Sequence, residues 1–139
     1  MISSVDGMET TTQPGESIAD FFARYTGYLT DGDLDGLAHI YHYPSLAVSP
    51  QGIMAITEPE QTRAFFAAGR EFYHGRQIMA VRADDIVTDI EVGTIWVGHL
   101  VLVNLDAEAN VVDRERNAYQ IVTGSDGLRR IAVTTPLDG

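Results

Sequence analysis

The densest group of reactive side chains lies in the segment DRERNAYQ, residues 113–120. If this segment is a β-strand, side chains alternate between its two faces, and Asp113, Glu115, Asn117 and Tyr119 share one of them. Two carboxylates beside an amide and a phenol can accept and return protons. We therefore take Asp113 and Glu115 as acid–base candidates, and Asn117 and Tyr119 as ligand-binding candidates. The alternative is that both carboxylates are solvated charges near a strand end.

A second set of candidates lies on the preceding apolar segment, residues 95–103. His99 stands there among Val and Leu residues, which predicts burial, either as a general base or as a core residue with a satisfied hydrogen bond. The register against the following strand decides which residues meet. One register places Trp96 opposite Tyr119, and a slip of one residue places His99 opposite Asn117. Trp96 is therefore a ligand-binding candidate and His99 a catalytic candidate.

Three amphipathic segments in the first half of the chain predict the helices that position these residues. The first segment ends at a DGD turn, where Asp33 can cap a shorter second helix that Pro44 ends. Thr57 and Glu60 have the spacing of a capping box, which opens a third helix. The third helix is expected to bury a stripe made of Phe65, Phe66, Gly69 and Phe72.

Beyond the third helix the hydrophobic period changes from about 3.6 to 2, which predicts strands. The predicted strands are residues 45–49, 52–56, 78–87, 94–104, 111–123 and 128–135. Helices followed by antiparallel strands predict an α+β domain with its helices on one face of the sheet. The polar residues 1–15 predict a disordered tail, and residues 16–139 a single domain.

The order of these elements resembles the cone-shaped fold of the nuclear transport factor two-like proteins, which include ketosteroid isomerases and SnoaL-like polyketide cyclases. The resemblance to the first third of the isomerases is carried by Ala23-Arg24-Tyr25, Gly32-Asp33, Tyr41 and Ser49-Pro50. It implies a curved antiparallel or mixed sheet wrapped around three N-terminal helices, with an apolar pocket inside the cone.

The same resemblance implies roles for three residues. Tyr25 matches the tyrosine that donates a hydrogen bond to the substrate oxygen, although a buried phenol can also be a core residue bonded to a neighbour. Tyr41 and Ser49 are expected at the ligand. Ser49 stands where the isomerases carry a carboxylate base, and an unactivated hydroxyl is a poor base. The second acidic donor of the isomerases falls near Gln120 or Ile121, where this sequence has no acid.

Composition excludes several kinds of chemistry. The 139 residues include no Cys, and all nine basic residues are Arg. Disulfides, thiolate metal sites and Schiff-base chemistry are therefore excluded. His39 and His42 are three residues apart, but this spacing alone is weak support for a metal, and we expect neither a metal nor a cofactor.

The net charge of −11 argues against nucleic acid as a partner, and no apolar stretch is long enough for a membrane span. We expect a cytoplasmic protein. Two functions compete: an enzyme that moves a proton on a carbonyl or epoxide of an apolar substrate, and a ligand-binding or assembly module without turnover. Residues 95–103 are unusually apolar, which favours a homodimer.

Overall fold

The structure is a computed structural model and describes residues 16–137. These residues form three helices and a six-stranded sheet. The helices are α1 (Ile18–Asp31), α2 (Leu34–His39) and α3 (Pro59–Gly75). The strands are β1 (Tyr41–Ser49), β2 (Gly52–Ile56), β3 (Ala80–Val92), β4 (Ile95–Leu105), β5 (Val111–Thr123) and β6 (Arg129–Pro136).

The start and end of α1 follow from local signals in the sequence. Ser17 caps the helix by accepting a hydrogen bond of 3.1 Å from the backbone amide of Asp20. The helix ends at Gly32, whose φ of +69° is the left-handed conformation that favours glycine. As predicted, Asp33 caps α2, accepting a bond of 2.9 Å from the amide of Gly36.

The strands form one mixed sheet in the order β2-β1-β6-β5-β4-β3. β1 and β6 pair in parallel, and every other neighbouring pair in this sheet is antiparallel. Irregularities in four of these five ladders bend the sheet around the helices without closing it. The predicted α+β cone with a curved mixed sheet is confirmed.

The core forms where α1 packs on the concave face of the sheet. Phe22 is fully buried and lies edge-on to Trp96, with ring centroids 5.7 Å apart. Its ring is also 5.2 Å from that of Tyr119. Trp96 and Tyr119 are each 1% exposed, so one end of the cone is packed solid with aromatic side chains.

The prediction that Pro44 ends the second helix is wrong. α2 ends at His39, and Pro44 lies inside β1. A residue that precedes proline is restricted to extended conformations, which places Tyr43 in a strand. The pairing of β1 with β6 is irregular between Tyr41 and Leu46, so the strand accommodates a proline without an N–H donor.

The predicted start of the third helix is also displaced. Glu58, not Thr57, is the N-cap, and Pro59 occupies the first helical position. Proline is favoured there because its missing N–H would have no partner within the helix. The side chain of Gln61, rather than that of Glu60, accepts a hydrogen bond of 3.1 Å from the amide of Glu58.

The register of β4 against β5 differs from both expected registers. Trp96 pairs with Ile121, and His99 pairs with Ala118. The ladder is irregular next to the turn, where Val112 is an extra residue on β5. A bulge of this kind shifts every later pair along the strands.

None of the described helices has the length and hydrophobicity needed to span a membrane. The predicted disordered tail, residues 1–15, lies outside the described residues.

Candidate functional site

A cavity of about 700 Å³ opens between α3 and the inner face of the sheet. Its walls come from the end of α1, from α3, from the β1–β2 hairpin and from inner-face residues of β5 and β6. Two of its apolar residues, Ile53 and Phe65, are 71% and 58% exposed, so the cavity is open to solvent on that side. A pocket of this size and lining suits a small organic molecule.

The predicted burial of the apolar stripe on α3 is wrong. Phe65 and Phe72 are 58% and 63% exposed, and Phe66 is half-buried with its ring 5.8 Å from that of Tyr41. Phe65, Phe66 and Gly69 line the cavity. These three residues form one wall of an open cavity, Phe66 also packs against the core, and Phe72 lies outside the cavity lining.

Three tyrosines of the cavity wall form a buried cluster. The hydroxyls of Tyr25 on α1 and Tyr41 on β1 lie 3.2 Å apart. Tyr119 on β5 lies beside them, with its ring 6.2 Å from that of Tyr25, and its hydroxyl accepts a bond of 3.3 Å from Asn117 Nδ2. Tyr25 is 4% exposed, Tyr41 7% and Tyr119 1%.

Burial keeps these three phenols neutral. Loss of solvation raises the pKa of Tyr25 well above its ordinary value, with further contributions from Tyr119 and Tyr41. Burial likewise raises the pKa of Tyr41 to about 12, against an opposing effect of the hydrogen bond with Tyr25. Burial also raises the pKa of Tyr119. At neutral pH the cluster can therefore donate hydrogen bonds into the cavity but cannot act as a base.

A carboxylate of β5 faces the same cavity. Glu115 accepts a hydrogen bond at Oε2 from the hydroxyl of Tyr73 on α3. The same oxygen accepts a bond of 2.6 Å from Nδ2 of Asn104, a residue of β4 that is fully buried. Burial and the neighbouring Glu115 raise the pKa of Tyr73, so this phenol is also a donor. Glu115 is thus held in place from two sides.

Asn104 links Glu115 to a second carboxylate. Its Nδ2 also donates to Oδ1 of Asp113 at 2.7 Å, and Arg76 contacts Oδ2 of Asp113 at 2.6 Å. The amide of Asn104 and, after it, the guanidinium of Arg76 lower the pKa of Asp113. Asp113 therefore stays ionised and supports the network, whereas Glu115 lines the cavity.

The structure brings together most of the residues that the sequence singled out. Of the nine candidates, those that line the cavity are Tyr25, Tyr41, Ser49, Glu115, Asn117 and Tyr119. Asp113 is joined to them through Asn104.

Trp96 and His99 are not at the cavity. Trp96 is buried in the aromatic core and donates from Nε1 to the Thr88 hydroxyl at 2.8 Å. The predicted burial of His99 is wrong, because its side chain is 37% exposed and lies 2.9 Å from a carboxylate oxygen of Asp89. The bulge on β5 leaves His99 on the outer face of the sheet, opposite to Trp96.

Tyr73, Asn104 and Arg70 were missed as site residues. Tyr73 and Arg70 lie three residues apart on the cavity face of α3, and this spacing could have drawn attention to both. Asn104 shares the buried face of β4 with Leu100 and Leu102. A polar residue in a buried apolar row usually has a specific hydrogen-bond partner.

Ser49 lies at the end of β1 and lines the cavity. Its hydroxyl donates to Oε1 of Gln51 at 3.1 Å and accepts from the Gln51 amide at 3.2 Å. This side chain is therefore occupied within the hairpin turn. None of its hydrogen-bond partners among the described residues is a base that could activate it as a nucleophile.

No metal-binding cluster is present in the part of the chain that the structure describes. His39 and His42, whose spacing drew attention, are both exposed, and each bonds through Nδ1 to a backbone carbonyl, that of Asp35 and that of Pro44.

The fold and the cavity define a class of protein in which a curved mixed sheet and three helices enclose an open pocket. The chain belongs to the NTF2-like proteins, since the family described as NTF2-like protein (DUF6841) matches residues 15–139. The expected resemblance is thereby confirmed. No curated protein matches the chain in sequence.

Solved structures show the same fold. A protein of unknown function with a cystatin-like fold from Nostoc punctiforme aligns with a TM-score of 0.68 at 13% identity, covering 86% of each chain. An NTF2-like protein from Novosphingobium aromaticivorans aligns with a TM-score of 0.68 at 15% identity, over 88% of this chain and 80% of that one. An NTF2-like superfamily protein from Salmonella enterica gives 0.60 at 12% identity, over 86% of each. At these identities the likeness concerns the fold alone.

Proposed function

We propose that this protein binds a small, largely apolar molecule carrying a carbonyl or epoxide oxygen and moves a proton on that molecule. One observation carries the proposal: a single cavity presents the neutral phenols of Tyr25 and its neighbours together with the carboxylate of Glu115. A carboxylate and hydrogen-bond donors in one apolar pocket are the groups that proton transfer next to a carbonyl requires.

Tyr25 is the proposed donor to the ligand oxygen. When the Tyr41 hydroxyl donates to that of Tyr25, the proton of Tyr25 is left for the ligand. Negative charge that develops on a carbonyl oxygen is stabilised most by donors that are fixed in place and shielded from water. The burial of Tyr25 and Tyr41 supports this role.

Glu115 is the proposed base. It removes a proton from the carbon next to the carbonyl, the electron pair moves into an enolate, and Glu115 then returns the proton to carbon. Its bonds with Tyr73 and Asn104 orient the carboxylate at the cavity wall. Asp113, which reaches Glu115 only through Asn104, is a positioning residue in this scheme.

Proton transfer is tested by following exchange of the α-protons of 2-tetralone in D₂O by NMR. We expect wild-type protein to accelerate exchange, Tyr25→Phe to reduce the acceleration about 100-fold and Glu115→Gln to reduce it by about 100-fold or more. Tyr28→Phe on α1 and Glu71→Gln on α3 are matched controls outside the cavity and should leave it unchanged. Equal acceleration by the wild type and both site variants would refute the assigned roles.

A second candidate function is ligand binding without turnover. Ser49, which occupies the position of the base in the resembled isomerases, is bonded to Gln51 and supports this alternative. The exchange experiment, together with calorimetry, separates the two functions. A binding module would bind 2-tetralone in calorimetry and leave the exchange rate at its value in buffer.

We also propose that the outer face of the sheet pairs with a second copy of the chain. Val87 and Ile95 on that face are 41% and 42% exposed, and exposed apolar side chains on one sheet face could be covered by a second chain. Sedimentation velocity at micromolar concentration should give a dimer for the wild type and a monomer for Ile95→Glu. A wild-type monomer would contradict this proposal.

A further inference from the structure

An arginine on the cavity wall has no carboxylate partner among residues 16–137. Arg70 on α3 lines the cavity, and its hydrogen bonds within residues 16–137 go from Nη1 to the backbone carbonyls of Leu29 and Thr30, at 3.4 and 3.3 Å. Two nearby arginines differ, since Arg63 on α3 contacts Asp35 and Arg76, which follows α3, contacts Asp113. In a chain with 20 acidic and nine basic residues, a cation left without an anion stands out.

The guanidinium is held with one edge available. Both bonds to the end of α1 use Nη1, and no partner of Nε or Nη2 is found among the described residues. These two donors form the edge that matches the two oxygens of a carboxylate. The negative end of the α1 dipole favours a cation at this position and helps to fix it.

Gly32 makes room for this arrangement. A Cβ at residue 32 would lie 2.2 Å from Arg70 Nη1, so a larger residue there would displace the guanidinium. His74 lies four residues after Arg70 on the same face of α3 and also lines the cavity. Its imidazole is a second nitrogen-containing side chain on that wall.

We infer that the cavity takes an anionic ligand, an apolar carbonyl compound that carries a carboxylate and is held through that carboxylate by Arg70. The inference rests on the proposed function and specifies its substrate class. Because α1 rises about 1.5 Å per residue, the carbonyls of Leu29 and Thr30 that hold Arg70 lie about 6 to 8 Å along the helix axis from Tyr25. The ligand therefore has its carbonyl at one end of a rigid apolar body and its carboxylate at the other.

The test compares two probes that differ by one group. Binding of 2-acetylnaphthalene and of 6-acetyl-2-naphthoate is measured by isothermal titration calorimetry. We expect the acid to bind wild-type protein about tenfold more tightly than the ketone, because a charge-assisted bidentate contact is added. Arg70→Gln should remove this preference while still binding the ketone. Arg63→Gln, a matched arginine on the outside of α3, should change neither affinity.

The outcomes separate the two levels of the proposal. If the wild type binds the ketone but shows no preference for the acid, or if Arg70→Gln keeps the preference, the inference fails and the proposed function stands. If neither probe binds, both fail. Ketone binding by Arg70→Gln reports that its cavity is intact. Should that variant not fold, Arg70→Lys, which keeps the charge but not the bidentate edge, must show a smaller preference than the wild type for the inference to hold.

Discussion

Asn104 Nδ2 lies 2.6 Å from Oε2 of Glu115 and 2.7 Å from Oδ1 of Asp113, so one buried amide holds two carboxylates of adjacent inner-face positions. The two acids are thus kept near each other by a shared donor on the neighbouring strand. Without that donor, two negative charges on one face of β5 would repel each other.

Replacement of the shared donor tests this relationship. Asn104→Ala should lower the free energy of unfolding by about 2 kcal/mol, since two hydrogen bonds to charged groups are lost from a buried position. Asn110→Ala is the matched control, because Asn110 is exposed and its side-chain bond to Asp106 is long, at 3.5 Å. Urea unfolding at pH 7 measures both changes, and an equal effect of the two would contradict a special role for Asn104.

The lowered pKa of Asp113 predicts how stability responds to acid. Its usual value is 3.8, and in the folded protein Asn104 and Arg76 hold it lower. The stabilisation is therefore complete above the usual value and is lost as the pH falls through the lowered one. Arg76→Gln should reduce the difference in unfolding free energy between pH 6 and pH 3.

Arg63→Gln is the control for this pH dependence. The side chains of its acidic partners Asp35 and Glu60 are 79% and 77% exposed, against 32% for Asp113, and such exposed pairs contribute little. A pH dependence in Arg76→Gln identical to that of the wild type would rule out the assigned contribution of Asp113.

The buried tyrosines predict an alkaline limit. Burial raises the pKa of Tyr41 from its ordinary value of 10.0 to about 12. The folded protein keeps a proton that the unfolded chain releases, so stability is unaffected below pH 10 and falls as the pH rises through 12. Tyr41→Phe should flatten this fall, as measured by urea unfolding between pH 9 and pH 11.5. The idea is wrong if the variant loses stability as steeply as the wild type.

Two glycines of the first helical region should respond in opposite ways to alanine. Gly32→Ala should destabilise the protein by about 1–2 kcal/mol, because residue 32 has a φ of +69° and its Cβ would meet Arg70. Gly27→Ala, inside α1 with nothing within 4 Å of the new Cβ, should stabilise it by up to about 1 kcal/mol. Thermal unfolding measures both, and a change of the same sign in the two variants would overturn the reasoning.

The fold was predictable wherever a short-range signal decides the structure. The amphipathic pattern of α1, the cap at Asp33 and the period of two in the later strands each specify a local element. The predicted element boundaries that were wrong lie where two adjacent sequence signals compete. Thr57 and Glu60 have the spacing of a capping box, but Pro59 fits the first helical position better and moves the start of α3.

Part of the cavity lining was predictable from the sequence, but the arrangement of its residues was not. Alternation along β5 correctly grouped Glu115, Asn117 and Tyr119 on one face. The partners from other elements, Tyr73 and Asn104, depend on how α3 and β4 meet that face, and nothing in the local sequence specifies this. The alternation pattern also did not reveal the bulge at Val112, which shifts the register of β4 against β5.

The β1–β2 hairpin joins the rest of the sheet only through β6, the last strand in the described part of the chain. During synthesis, the β1–β2 hairpin can therefore join the sheet and form its wall of the pocket only after β6 has left the ribosome. We expect deletion of residues 129–139 to abolish the pocket, even though most of its lining belongs to earlier segments. The cavity is then complete only once β6 has been added to the sheet.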